Sequence, residues 1–386
     1  MRIFVVTDDF TSAADGSVAF AARGIRTAVR MRPGADFYNG ATVVAVDTDS
    51  RNLPAALAAG RVAEAAKDVK GSDIVVKQFD STLRGNLVAE CMALLAATGR
   101  SKLLVVAAFP HAGRTTRDGV QLLHGIPVSE TAFGSDPLNP VRQSAIPALF
   151  AAQGIKATLA REPGYIPELL AESAIVVADA ATESDMDRLA GLALGLRDAV
   201  IAGSTGIVRA LARRLPQQDR AKDGDVRCRK VLVLVGSKNP QSRAQRDRLV
   251  ADGVPGFQFV PDAQAVPAVV AQARTALETH DAVCVSVADG EYDPLDTTRH
   301  VAAVGAALIN HGAVDGLVVT GGETAKHIAL HIGADQLRLL REVEPGVPQG
   351  VFVLHDRVLP IVAKAGGFGT EAIFVHALRA LMGRPS

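Results

Sequence analysis

Three short segments in the N-terminal half combine carboxylates, hydroxyls and arginines: Asp8-Asp9-Phe10-Thr11-Ser12, Asp47-Thr48-Asp49-Ser50-Arg51 and Asp80-Ser81-Thr82-Leu83-Arg84-Gly85-Asn86. Each follows a run of apolar residues, and in an open parallel sheet ligands bind outside the carboxyl ends of the strands. The adjacent Asp8 and Asp9 could supply a general base or a metal ligand; the plainer reading is a helix N-cap beside a solvated neighbour. Arg51 and Arg84 each offer a planar, permanently charged fork that binds carboxylates through two hydrogen bonds. Ser81 and Thr82 precede a helical stretch whose first N–H groups favour anions. Three such segments at consecutive strand ends describe a pocket for a hydroxylated acid. A fourth segment, Phe109-Pro110-His111-Ala112-Gly113-Arg114, continues through Asp118-Gly119 to Asp136-Pro137-Leu138-Asn139-Pro140. It reads as a long irregular loop of the kind kept for function, with His111 either an acid–base group or an ordinary polar contact.

The C-terminal half carries different chemistry. Its glycine clusters are Gly236-Ser237-Lys238-Asn239-Pro240, Thr320-Gly321-Gly322-Glu323-Thr324 and Lys364-Ala365-Gly366-Gly367-Phe368-Gly369. Glycine lets a backbone approach phosphate closely, and a following helix start favours its charge. One cluster is a tight turn; two at successive strand ends, plus a third with a lysine, suggest a triphosphate cradle. GxxxxGK[ST] is absent, so the cradle is not a P-loop, and the first strand lacks the GxGxxG of dinucleotide folds. Gly203-Ser204-Thr205-Gly206 is read as a turn.

The elements that must position these groups are legible as alternation. Apolar runs at residues 3–6, 42–46, 74–76, 103–107, 175–177 and 199–202 alternate with helical stretches such as 13–23, 54–68 and 87–98. That alternation is the pattern of βαβ units around strands covered on both faces. A polar, charged stretch at 216–230 reads as a linker. A second series follows at 231–235, 282–287 and 316–320, with 350–354 and 361–363 as a closing hairpin. The expected fold class is therefore α/β: two α/β domains with mainly parallel sheets and an active site in the inter-domain cleft. The expected domains span 1–215 and 231–386.

Bulk composition excludes several classes. Lys plus Arg equals Asp plus Glu at 41 each, which leaves no basic surplus for a nucleic-acid footprint. Apolar residues make up 48% and charged residues 21%, the proportions of a folded rather than disordered chain. Three separated cysteines (Cys91, Cys228, Cys284) do not form a disulfide framework or a zinc motif. Two carboxylates stand where a signal peptide would need an apolar core, and no run approaches a membrane span. A cytoplasmic protein acting on a small molecule is expected, with no membrane partner and with a homo-oligomer left open.

These motifs, in this order, resemble the four-carbon acid sugar kinase family, of the D-threonate and D-erythronate kinase type. The resemblance rests on Asp8-Asp9-Phe-Thr11, Thr48 to Arg51, Lys77-x-x-Asp80-Ser-Thr-Leu-Arg84-Gly85, Phe109-Pro-x-x-Gly-Arg114 and Asp136-Pro-Leu-Asn-Pro140. In the second half, Gly236-Ser237-x-x-Pro240, Thr320-Gly-Gly-x-Thr324 and Lys364-x-Gly-Gly-Phe-Gly369 continue it. It implies a substrate-binding N-terminal domain, an ATP-binding C-terminal domain and phosphorylation of a tetronate's terminal hydroxyl. D-threonate is the expected substrate, with D-erythronate, L-threonate and a 3-dehydro-tetronate open. The resemblance further implies substrate contacts at Asp9, Arg51, Ser81, Thr82, Leu83 and Arg84, and nucleotide contacts at Ser237, Gly321, Gly322, Glu323, Thr324 and Gly367. Ser12, Asn239, Glu323 and Ala365 depart from the usual residues. Arg51 and Arg84 are expected to hold the acid's carboxylate, with Asp9 or Asp8 as base. Mg²⁺ is expected to bind through ATP and water without a protein metal site. The rival readings are an NAD-dependent sugar-acid oxidoreductase and a non-catalytic sugar-acid sensor.

Overall fold

The computed structural model describes residues 1–31, 40–69, 72–219 and 227–384. The chain packs as two units, Met1–Asp219 and Arg220–Ser386. Of the expected linker at 216–230, residues 220–226 lie outside the described residues.

In the first unit the strands are β1 (Ile3–Thr7), β2 (Thr27–Arg30), β3 (Val43–Asp47), β4 (Ile74–Gln78), β5 (Lys102–Val106), β6 (Arg114–Arg117), β7 (Val120–Leu123), β8 (Ile126–Pro127), β9 (Thr158–Ala160), β10 (Ile175–Ala178) and β11 (Ala199–Gly203). Eight of them form a sheet in the order β2-β3-β1-β4-β11-β5-β10-β9, parallel throughout. Burial on both faces is why β1, β3 and β4 read as unbroken apolar runs. The winding reverses at β1, with β3 on one side and β4 on the other, and such a switch point opens a crevice at the carboxyl ends. Strands β6, β7 and β8 form a small antiparallel sheet within the long segment after β5.

One core cluster covers a face of this sheet. Phe4, Val6, Val44, Val46 and Val75 pack there with Val62 and Ala65 of helix Ala55–Ala66 and with Leu87, Cys91 and Leu94 of helix Leu87–Thr98. The helix expected at 13–23 spans Phe10–Ala21, beginning earlier because Asp9 caps it. Helix Leu87–Thr98 spans the residues expected.

In the second unit the strands are β12 (Val231–Val235), β13 (Gly256–Phe259), β14 (Ala282–Val287), β15 (Gly316–Thr320), β16 (Gln336–Glu344), β17 (Val347–Val353) and β18 (Val358–Lys364). Their order is β13-β14-β12-β15-β18-β17-β16, with the first five parallel and β17 antiparallel to both of its neighbours. The expected closing hairpin is β17–β18. The three cysteine thiols are free and buried, and burial pushes each up to about 12, the state of an inert core thiol. Among the described residues no helix is long and apolar enough to cross a membrane.

Gly203 closes β11 where backbones crowd. A Cβ there would stand 2.2 Å from the Val106 carbonyl oxygen and 2.6 Å from Ile207 Cγ2. Gly203→Ala should therefore destabilise the first unit by about 1–3 kcal/mol, the usual cost of overpacking. A urea melt would register a lower midpoint at unchanged slope; an unshifted midpoint would mean that this strand end has room to spare.

Candidate functional site

The first cluster lies beyond the ends of β1, β3 and β4. Asp9 caps helix Phe10–Ala21, its Oδ1 accepting from the Ser12 amide at 2.6 Å. Asp8 is only 2% exposed, so it is not the solvated neighbour of the plainer reading. Its carboxylate receives both forks of Arg51, Nε to Oδ2 at 2.8 Å and Nη2 to Oδ1 at 2.9 Å. Arg51 Nη1 pairs with Asp9 Oδ2, and Nη2 also donates to Ser12 Oγ at 3.1 Å. Burial works against the Arg51 charge, but Asp8 and Asp9 beside it hold its pKa well above the usual value. Arg51, expected to grip a ligand's carboxylate, thus grips two of the protein's own. The pair Asp8-Asp9, weighed as a metal ligand, has its charge directed at a guanidinium instead.

Segment 80–86 closes over this arrangement. Asp80 accepts from Arg84 Nε at 2.7 Å and from the Thr82 hydroxyl. Burial opposes its ionisation, yet Arg51 and Arg84 pull its pKa down to about 2. Arg84 Nη1 also reaches Asp136 at 3.4 Å, and its guanidinium lies 5.1 Å from the centroid of the Phe133 ring. The loop at 133–139 is thereby drawn onto the site by charge and by cation–π attraction. Leu83 adopts φ 63°, an uncommon conformation for a leucine, and Gly85 follows at φ 90° with its Cα facing Arg51 and Asp8. The Leu83 side chain enters the core and the Thr82 hydroxyl is held by Asp80, so neither side chain faces outward. Ser81 and Arg84 remain partly accessible.

Beneath the cluster runs a buried polar network. Lys77, at 0% exposure, donates to Glu90 Oε2 at 2.7 Å and to the Gln78 carbonyl at 2.7 Å. Glu90 Oε1 accepts from Ser50 Oγ at 2.9 Å, and the Ser50 hydroxyl meets Thr48 Oγ1 at 2.7 Å. Burial disfavours the Lys77 charge, but Glu90 and Asp8 raise its pKa above the usual value. The network joins β4, helix Leu87–Thr98 and the 48–51 turn, and so fixes the backbone that carries Arg51. Gln121 does similar work for the loop after β5, donating to the Ser81 carbonyl at 2.8 Å and the Ala107 carbonyl at 3.1 Å. The sequence reading missed Glu90 and Gln121. A lone carboxylate in the otherwise apolar helix Leu87–Thr98 was a usable signal for Glu90; nothing local marked Gln121. His111 lies exposed in a short turn, Pro110–Ala112, where its backbone amide donates to Glu183.

In the second unit the three glycine clusters come together beyond the adjacent strands β12, β15 and β18. Thr320 Oγ1 accepts from the amides of Gly236 and Ser237 at 3.1 and 3.4 Å, and Gly321 N donates to the Lys364 carbonyl at 2.8 Å. A Cβ on Gly366 would stand 2.7 Å from Ser237 Oγ. Helix Gly322–His331 begins with no side-chain cap, and Gly321 before it has φ 92°. Its first amides are therefore available to an anion. Thr324 is buried against Gly236 and Gly321, whereas Glu323 and Gly367 are exposed. Lys364, the lysine that opens the third cluster, turns inward to Ser242 Oγ at 3.1 Å and the Gly366 carbonyl at 3.0 Å, and burial lowers its pKa to about 8. Gln245, also missed in the sequence, donates to the carbonyls of Phe368, Gly369 and Thr370 at 3.2, 3.1 and 2.9 Å. Among the described residues no group of three or more metal-ligating side chains occurs.

Comparison with known proteins bears on both clusters. Residues 3–211 match the family model for a sugar-binding N-terminal domain, and residues 232–374 match that for a nucleotide-binding C-terminal domain. A D-threonate kinase of Salmonella typhimurium is 32% identical over 98% of this chain and 98% of its own. A D-threonate kinase of Bordetella bronchiseptica is 34% identical over 99% and 98%. Further relatives are a D-erythronate kinase of Heliobacterium modesticaldum, 30% identical over 96% and 94%, and several 3-oxo-tetronate kinases. Among solved structures, one from Salmonella typhimurium LT2 has a TM-score of 0.85 at 23% identity, covering 98% of this chain and 99% of that one, a likeness of fold. Another, a domain of unknown function from Bordetella bronchiseptica, has a TM-score of 0.51 at 31% identity over 100% and 99%; it is a domain-swapped dimer with bound citrate.

The buried network makes a direct demand on stability. Lys77→Met leaves the Glu90 carboxylate buried without its cation, an imbalance that costs about 3–5 kcal/mol. Adding Glu90→Leu should recover much of that loss, because an apolar pair replaces the ionic one. Chemical denaturation of the single and double variants measures this; a single variant as stable as the parent would deny the pair its role.

Proposed function

The chain belongs to the four-carbon acid sugar kinase family, and on that premise we propose that it phosphorylates the terminal hydroxyl of D-threonate. It is a sugar-acid kinase, not the oxidoreductase or the sensor weighed above. D-erythronate and a 3-oxo-tetronate are the next substrates in line, after the names of the relatives. The observation that carries the nucleotide assignment is the uncapped start of helix Gly322–His331, set among three glycine turns. It fits a triphosphate, with Gly321, Gly322, Glu323, Thr324, Ser237 and Gly367 as contacts. When bound, ATP with Mg²⁺ supplies the phosphoryl group. The sugar acid is assigned to the first unit, 1–215, and the nucleotide to the second, 231–386. The same proposal has the enzyme working in the cytoplasm, and a dimer is part of it in view of the Bordetella bronchiseptica structure.

Asp9 is the proton acceptor in this reading. Its side chain is 18% exposed against 2% for Asp8. A carboxylate has about four acceptor sites, and Ser12 N and Arg51 engage two of them, so a substrate hydroxyl can still be received. Arg51 holds the Asp9 carboxylate in place. A loose phosphoryl-transfer transition state asks more of such positioning than of base strength. Ser81 and Arg84 remain as accessible substrate contacts, while Thr82 and Leu83 act through the backbone shape of segment 80–86.

Two measurements test the proposal. A coupled ADP-release assay across D-threonate, D-erythronate, L-threonate and 3-oxo-tetronate should give the highest kcat/KM with D-threonate; no ADP release with any tetronate would refute it. Asp9→Asn should lower kcat by about 10²–10⁴-fold while changing the substrate KM much less. A variant with undiminished kcat would transfer the role to Asp8 or His111.

A further inference from the structure

Among the described residues of the first cluster, the arginines and lysine other than Arg114 are each held by carboxylates. Arg51 is held by Asp8 and Asp9, Arg84 by Asp80 and Asp136, and Lys77 by Glu90. Arg114 has no carboxylate within ion-pair distance among the described residues. Its Nη1 donates to the Ala112 carbonyl at 2.5 Å, and its Nε is buried with no hydrogen-bond partner. Burial lowers its pKa, with Asp80 offsetting part of the effect and Arg84 adding to it. An orphaned guanidinium donor in a protein interior is costly, which makes it a sign of a group that arrives later.

The backbone fixes Arg114 in place. Phe109 and Arg114 exchange two backbone hydrogen bonds, at 2.8 and 3.0 Å, around the turn Pro110–Ala112. Gly113 takes φ 73° there, and a Cβ on it would lie 2.2 Å from the His124 ring, so the turn admits only glycine. Gln121, on the strand paired with that of Arg114, ties the hairpin to the Ser81 carbonyl. Arg114 therefore stands on a braced hairpin beside Asp80, Ser81 and Arg84. With Nη1 tied back, it retains the Nε–Nη2 edge, the same edge that Arg51 presents to Asp8.

We propose that Arg114 is the anchor for the substrate's carboxylate, the residue that makes this site prefer a sugar acid to the corresponding polyol. This rests on the sugar-acid kinase reading above. It reassigns the carboxylate from Arg51 and Arg84, whose charges are already matched, to the cation whose charge is not. A carboxylate bound there would satisfy the orphaned donor and give Arg114 a counter-charge of its own. The distal hydroxyl of a four-carbon chain would then be left for Asp9.

The test compares D-threonate with D-threitol, in which the carboxylate is replaced by a hydroxymethyl group. Arg114→Gln should lower kcat/KM for D-threonate by about 10²-fold or more, chiefly through KM, and change that for D-threitol by less than about threefold. The KM for ATP should not move, and Arg114→Lys should fall between. Calorimetric titration of D-threonate into parent and variants, matched for melting temperature, reads the same difference without turnover. A kinase reading that failed would leave ADP release absent in the parent, and the titration would still decide Arg114. Equal losses for acid and polyol, or an unchanged affinity for D-threonate, would overturn the proposal.

Discussion

The guanidinium of Arg51 lies between Asp8 and Asp9, and much of the first unit is arranged to keep it there. Three strand ends meet at that point because the winding of the sheet reverses at β1, which brings 8–12, 47–51 and 80–86 into one crevice. Placing two adjacent carboxylates in so enclosed a position would be prohibitive without a cation whose fork can serve both. The Lys77–Glu90 pair repeats the solution one layer down, and through Ser50 and Thr48 it holds the turn from which Arg51 projects. The positions of these side chains are thus set by one connected network.

The second unit handles charge through backbone rather than side chains. Its glycine turns leave amides at the start of helix Gly322–His331 without a cap, while the loop at 365–370 is fastened from behind by Gln241, Ser242, Gln245 and Lys364. Ser242, Gln245 and Lys364 are buried, and accept the loss of their own solvation so that the loop's outer face keeps one shape. Such a surface suits phosphate, whose charge needs donors that do not have to be reoriented. Glu344 adds a further tie, receiving the Thr370 amide and hydroxyl at 2.7 and 2.8 Å.

What the sequence disclosed follows from where the information is local. The doubly buried strands β1, β3, β4, β12, β14 and β15 are short apolar runs, and the segments after them carry chemistry in consecutive residues, so both were legible. Strand β16 was not, because its buried Leu337 and Leu339 flank Arg338 and are followed by Arg341, Glu342 and Glu344, which read as a surface stretch. Strand β2 was hidden for a related reason, having only four residues and ending in Arg30. In the site, the types of residue were evident but their pairings were not. Whether Arg51 faces a ligand or Asp8 depends on a 43-residue separation closing to a hydrogen bond, and no spacing rule supplies that. The same holds for Glu90 with Lys77 and for Gln245 with three loop carbonyls.

The orientation of the substrate distinguishes this arrangement from its alternatives most sharply. In the proposed orientation, with the carboxylate anchored and Asp9 at the distal hydroxyl, the phosphoryl group has one destination. Proton-coupled ³¹P spectroscopy of the product formed from D-threonate reads that destination directly. The expected product is a phosphate ester on the terminal carbon, whose phosphorus couples to two equivalent or near-equivalent methylene protons and resists hydroxylamine. A phosphorus signal without proton coupling and sensitive to hydroxylamine would mean an acyl phosphate, and coupling to a single methine proton would mean a secondary ester. Either result would contradict a site that holds the acid by its carboxylate and phosphorylates the other end.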